Sequence, residues 1–452
     1  MTRKHPLWAW LLGAFFVLAV FDGALRKWVL PSQQLVLYLL KDAVLLVSLG
    51  LYWLHGNPIR LPRPAQRHFL ALILGLFVYL VLLQAVNLRQ PHWAVSVLGL
   101  KAHLAYVPLV VLLPAFLAGL PARKAEHYIG GYLAFIALPV LLVGIYQFFQ
   151  PPGSWVNQYV VDEAHVAGLF GHPRITGTFS YITGMETFLQ FNALISFAVL
   201  AAGVLYGRRW LRWGGAGFLG LCVTVLPMTG SRSAVVFPAL LIVGISLLLA
   251  VQKRGGGYTL LLSFMLVFSI AAILFTQTDL VEGWKTFQAR LERIGSSDEA
   301  RIIGVFTRPF RVIGRAGLFG HGAGTLHQAA TKLVPGQGAQ VWIPGSFVEH
   351  GFSSLMMEVG LLGMIVLLAL KGTILWMAYR VFSRASTPFE TIIGIFALGV
   401  TGLHFYFPVA FRATSAVFYW TAAGLVVYAW SMQELRVRHH AVAAESGVVG
   451  SP

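Results

Sequence analysis

The sequence is short of charge, of acid and of cysteine. Only 11% of its 452 residues are Asp, Glu, Lys or Arg. A soluble chain of this length needs far more charge to cover its surface, so a soluble globular protein is excluded. Asp and Glu number 16 against 33 Lys and Arg, a formal net charge of +17. The single cysteine, Cys222, excludes an intrachain disulfide. The sequence holds no HExxH, no Cys-His zinc spacing and no Walker lysine, so it offers no recognisable zinc or P-loop site. No segment repeats at a fixed period.

What the chain has in abundance is apolar length. Hydrophobic residues make up 57% of it, and the mean hydropathy is +0.74. They fall in blocks of roughly twenty, the length of a helix that crosses a bilayer. The blocks read as about twelve spans, centred on 8–22, 35–54, 69–86, 94–118, 128–149, 184–205, 214–229, 234–251, 258–276, 354–378, 391–410 and 415–432. The expected fold is an all-α polytopic membrane protein. Residues 1–436 form a single transmembrane domain, and 437–452 form a disordered cytoplasmic tail. The first block, "LWAWLLGAFFVLAVF", resembles a signal peptide. No small-residue cleavage site follows it, so it reads as a retained span.

Five short basic loops recur at alternate connections between the spans. "LHGNPIRLPRPAQRH", "GLPARKAEH", "YGRRWLRW", "VQKRGGG" and "YRVFSRASTP" all fall on one side, together with Arg3, Lys4, Arg436 and Arg438. The positive-inside rule makes that side, and both termini, cytoplasmic. Two long segments lie on the opposite side, 150–183 and 277–353. Loops of this length inside a compact protein are usually functional. The second contains "LVEGWKTFQARLERIG", whose spacing suits a helix lying at the membrane surface. This outer face is also net basic, and an excess of arginine favours an anionic ligand, phosphate above all. Arg26 and Lys27, beside Trp28, read as an interfacial anchor.

Several constellations could carry chemistry. Arg232 stands between two spans within Thr229, Gly230, Ser231 and Ser233, where the next helix begins and its dipole favours an oxyanion. Arg174 lies before the sixth span in a Gly/Thr/Ser-rich turn. Glu349 and His350 precede the tenth span, and either could accept a proton. The turn "GLFGHGAGT", with His321, Gly322 and Gly324, could present backbone amides to phosphate or sugar oxygens. Asp162, Glu163 and His165, and separately Asp298 and Glu299, form small acidic clusters of a kind that can bind a divalent cation, yet no metal site is expected. Within the membrane, Lys41 and Asp42 could neutralise each other. Glu186, Glu358 and Lys371 read as snorkelling span-end charges, which leaves Lys101 as the isolated one.

The order of these motifs is more specific than any one of them. "RITGTFSYITGMETFLQFNALI", then "TGSRSAVV", then "EARIIGVFTRPFRVIGRAGLFGHGAGT", then "EHGFSSLMMEVGLLG" resembles the core of the O-antigen ligase / O-antigen polymerase superfamily, bacterial inner-membrane glycosyltransferases of the GT-C type. The resemblance covers residues 165–410. It implies a glycan carried on undecaprenyl pyrophosphate as substrate, an acceptor glycan, and no cofactor or metal. It also implies that Arg174 and Arg232 hold the pyrophosphate, and it matches Arg301 to a recurrent arginine of the outer loop. In ligases a His-Asn-like pair precedes the "GLLG" end. Here Glu349 takes that position with His350 beside it, which favours a polymerase and leaves the base open between the two. Membrane lipids and a chain-length regulator are further candidate partners, and nucleic acid is not one. A ligase acting on lipid A core or protein, and a polysaccharide transporter, are the alternatives.

Overall fold

The computed structural model describes residues 6–56, 65–90, 92–120, 122–160, 168–169, 172–252, 256–277, 296–327, 329–330 and 351–445. Every long element is an α-helix: α1 Leu7–Ala24, α2 Gln34–Leu54, α3 Ala65–Ala85, α4 Trp93–Leu104, α5 Leu109–Ala118, α6 Ala122–Tyr132, α7 Leu138–Phe148, α8 Ile182–Leu205, α9 Arg209–Val225, α10 Arg232–Val251, α11 Gly257–Gln277, α12 Ser296–Ala316, α13 Gly351–Ser383, α14 Pro388–Tyr406 and α15 Ala413–Glu445. Among the described residues the strands are one pair of two residues each, Gly168–Leu169 with His172–Pro173. Among the described residues, ten helical segments are long and apolar enough to cross a membrane. The chain is therefore an all-α, multi-pass membrane protein. Apolar backbone in lipid has to satisfy its own hydrogen bonds, and the helix does this within one segment.

The ten differ from the expected spans in recognisable ways. The span over 94–118 is two helices, α4 and α5, joined by a turn at 105–108. The last helix carries aromatics and small residues instead of long aliphatics, and it is not among the ten. It also runs to Glu445, so the expected disordered tail begins too early at 437. Ala, Arg and Glu in 434–445 are strong helix formers and propagate a helix already nucleated in the bundle. The surface helix expected at 280–295 lies outside the described residues.

α8 and α14 form the centre, with 78% of each apolar window buried. The α8–α9 hairpin closes on small residues. A side chain at Gly203 would collide with the backbone of Arg212, and one at Gly215 with the backbone of Leu200. Close approach of this kind is how membrane helices associate without a hydrophobic driving force. Around α8 pack α10, α14 and α15, and their starts or ends gather at one end of the bundle. There Thr187 of α8 meets Ser415 of α15 at 3.5 Å. Phe237 of α10 packs on Phe407 at 5.3 Å, and Gly351, the first residue of α13, abuts Pro408.

α13 is broken. Gly360 has φ +70° and ψ −176°, a conformation open only to glycine. The released backbone groups pair with the glycine-rich turn 317–322. His321 N donates to Met357 O at 2.8 Å and Gly322 N to Glu358 O at 3.1 Å. Leu361 N donates to Gly317 O at 3.1 Å and Leu362 N to Leu318 O at 3.2 Å. A helix break inside a membrane protein needs such substitutes for the lost bonds.

Candidate functional site

The two Gly/Thr/Ser motifs dock against each other. Gly230 has φ +64°, which turns the chain between α9 and α10 just after the Thr229 carbonyl. Arg174 Nε donates to that carbonyl at 2.8 Å across 55 residues of sequence. Ile175 N donates to Met228 O at 3.3 Å. Arg174 therefore lies along the turn that ends in Arg232, the first residue of α10. Its Nη2 donates to Glu186 Oε1 at 3.2 Å. α8 and α10 both begin here, and Gln190 on α8 donates to Ser233 O at 3.2 Å. Two helix N-termini and two guanidinium groups give this end a positive field.

The hydroxyl groups around Arg232 are partly committed. Thr229 Oγ1 donates to Leu226 O at 2.8 Å and accepts from Ser231 N at 3.2 Å. Ser231 and Ser233 share a hydrogen bond at 3.1 Å, which leaves one hydroxyl proton between them for another acceptor.

Arg26 and Lys27 belong to this assembly and are not a lipid-facing anchor. They sit in a π-helical turn, Leu25–Val29, that swings Lys27 inward. Lys27 is 5% exposed, and its Nζ donates to Thr176 Oγ1 at 3.0 Å and Gly177 O at 2.7 Å. Arg26 Nη1 donates to Ser180 Oγ at 3.1 Å. Gln147 completes the cage around 176–177, with Oε1 accepting from Thr176 N at 3.1 Å and Gly177 N at 2.7 Å. The segment carrying Arg174 is thus held by α1, α7 and the α9–α10 turn.

The turn 320–325 is built differently from the sequence expectation. The amides of His321, Gly322 and Ala323 go to Met357 O, Glu358 O and Gln84 O. His321 Nε2 bonds Arg315 O at 2.9 Å. The glycines let backbones meet. A side chain at Gly320 would strike Glu358 and Gly360, and one at Gly324 would strike Val95 and Gly99. His321 and Gly322 therefore spend their amides on carbonyls of α13, and Gly324 lets the turn pack closely on α4.

Arg301 lies on α12, with its side chain outside the described residues. Glu349 and His350 lie outside them too, immediately before Gly351. Gly351, the first described residue after them, abuts Pro408. Asp162, Glu163 and His165, and the side chains of Asp298 and Glu299, also fall outside. Among the described residues, no cluster of three His, Cys, Asp or Glu could hold a metal ion.

The membrane charges are all paired, and mostly not as expected. Lys41 and Asp42 do not meet, because adjacent helix positions face different directions. Lys41 pairs with Asp22 at 2.5 Å, and Asp42 with Lys101 at 3.0 Å and Tyr106 at 2.8 Å. Lys101 is thus not isolated. Glu358 and Lys371 do not snorkel. Lys371 is buried and its Nζ caps the end of α14, donating to His404 O and Phe407 O at 2.9 Å each. These are carbonyls a helix end leaves without partners. Glu358 is fully buried. Its Oε2 pairs with His103 Nε2 and its Oε1 accepts from Leu326 N, each at 2.9 Å. Beside this pair, burial pushes the His327 imidazole below its ordinary value, with Glu358 pulling the other way.

Sequence reading missed Glu186 as the partner of Arg174, although it lies one turn inside the same motif. The pairing of His103 with Glu358 carries no local signal, because 255 residues separate them. Comparison of the chain with protein-family models, curated proteins and solved structures finds no match.

Proposed function

We propose that the chain is a glycosyltransferase of the bacterial inner membrane, acting at the periplasmic face on glycan linked to undecaprenyl pyrophosphate. It joins repeat units by displacing the lipid pyrophosphate from the anomeric carbon. The carrying observation is the docking of Arg174 onto the turn that presents Arg232, at the mouth of two helices. Two guanidinium groups there suit the charge that grows on a departing diphosphate, in a partly dehydrated setting where such pairing is strong. Diphosphate is itself a good leaving group, so the displacement does not demand a metal. Glu349 or His350, next to Gly351 in sequence, takes the proton of the attacking hydroxyl. Both termini face the cytoplasm in this reading.

The test uses purified protein in nanodiscs with native lipid-linked oligosaccharide, with glycan length followed on a gel. Wild type lengthens the glycan, and Arg174→Ala and Arg232→Ala each slow it about 10²–10³-fold, the range for losing one transition-state contact. Glu349→Gln and His350→Ala identify the base. Transfer only to an added lipid A core acceptor would make it a ligase.

A second reading is favoured by one observation, the broken helix with its buried His103–Glu358 pair. Interrupted helices and buried ionisable pairs also mark transporters. Movement of lipid-linked glycan across a vesicle membrane without any longer product would select that reading.

A further inference from the structure

Arg174 is already occupied. Its Nη2 bonds the Glu186 carboxylate at 3.2 Å and its Nε the Thr229 carbonyl at 2.8 Å. The pair is largely enclosed, Arg174 at 20% and Glu186 at 15% side-chain exposure. A carboxylate oxygen on a guanidinium takes the place a phosphate oxygen would take. Glu186 stands one turn inside α8, past the first turn where the helix dipole acts, so its hold on Arg174 is the ion pair itself. It therefore fills one of the guanidinium positions that an external anion would use.

Glu186 is not placed to be the base. In a displacement the attacking hydroxyl and its base stand across the anomeric carbon from the leaving group. A carboxylate bonded to the guanidinium that holds the leaving group is on the wrong side.

We propose that Glu186 is a resident stand-in for the anion, displaced when a diphosphate binds and returning when it leaves. This rests on the reading that Arg174 and Arg232 receive the pyrophosphate. An incoming ligand has to outcompete a carboxylate that carries one negative charge. A diphosphate, with more charge and enough reach to meet both arginines, gains over the resident group. A monophosphate gains much less. Glu186 thus sets selectivity by opposing weaker anions, which is discrimination through a competing contact. The same competition speeds release of the spent lipid diphosphate.

The experiment measures equilibrium binding of farnesyl diphosphate, farnesyl monophosphate and inorganic pyrophosphate to the full chain in nanodiscs. Wild type is compared with Glu186→Gln, Glu186→Asp, Arg174→Ala and Arg232→Ala. Thermal unfolding of each variant is recorded alongside, and Glu186→Asp carries the test if Glu186→Gln does not fold. Removing the competitor is expected to tighten diphosphate about tenfold, the scale of one partly buried ion pair. The monophosphate tightens more, so the preference for diphosphate narrows. Comparable gains for inorganic pyrophosphate and farnesyl diphosphate mean the headgroup alone is recognised, and a gain for farnesyl diphosphate only means the lipid chain is needed; either supports the stand-in. If wild type binds diphosphate through both arginines, and the Glu186 variants bind no tighter, the stand-in is overturned and the pyrophosphate reading stands. If wild type and Glu186 variants all fail to bind diphosphate, or bind it without regard to Arg174 and Arg232, both fall.

Discussion

Glu358→Ala is the most informative stability variant. The carboxylate is fully buried and bonds on both sides, to His103 Nε2 and to Leu326 N, each at 2.9 Å. Its truncation leaves His103 without a partner in the interior. Breaking a buried pair costs about 3–5 kcal/mol. Leu326 N also loses its acceptor, a penalty of about 1–3 kcal/mol that overlaps with the first. A net loss near 4 kcal/mol is expected. Glu358→Gln keeps an acceptor for Leu326 N and a polar group for His103, so it loses about 1–2 kcal/mol. The double variant His103→Ala/Glu358→Ala should be less damaged than the sum of its parts, with a coupling of about 1–3 kcal/mol. The assay is SDS-induced unfolding in mixed micelles, followed by tryptophan fluorescence. A Glu358→Ala protein within about 1 kcal/mol of wild type would refute the reasoning, because a buried pair cannot be broken that cheaply. Strict additivity of the two single variants would refute the pairing itself.

Other outcomes follow from neighbouring contacts. Gly360→Ala puts a side chain into Leu318 and Gly320 at a backbone conformation reserved for glycine, so stability falls by about 3 kcal/mol or more in the same unfolding assay. Lys27→Met removes the donor to Thr176 and Gly177 and leaves the Gly177 carbonyl only the longer Gln147 contact at 3.4 Å, a loss of about 1–3 kcal/mol, with enhanced proteolysis of the 174–180 segment as a second readout. The folded-state value of His327 is held below its ordinary 6.5, so the unfolded chain binds the proton first. Its contribution is therefore complete above 6.5 and declines as pH falls below it. His327→Gln is expected to flatten the loss of thermal stability between pH 7.5 and about 5, and an unchanged pH slope would contradict this.

The membrane architecture was legible because hydropathy acts locally: a run of apolar residues must become a helix wherever lipid surrounds it. The break in α13 was not legible. "EVGLLG" is apolar on both sides, and only the approach of Gly320 shows why Gly360 leaves the helix. Charges were misread when judged by position along one helix. Lys371 lies deep but finds the carbonyl end of α14, and Lys27 looked exposed beside Trp28 until the π-turn rotated it inward. Arg174 and Arg232 could be singled out from their turn chemistry. That the first leans on the turn of the second is a fact of packing, which one sequence does not encode locally.

The Lys27 contact has a consequence for the order of assembly. Asp22 and Lys41 lie 19 residues apart and can neutralise each other as soon as the first hairpin enters the bilayer. Lys27 finds its acceptors on residues 149 and 150 positions later. At a synthesis rate of about 5–20 residues per second, that interval is roughly 7–30 seconds. Throughout it, the ammonium has to rest among lipid headgroups, so the first span is inserted in one state and finished in another. The final contacts of the π-turn that carries Lys27 therefore wait on translation of a segment far downstream.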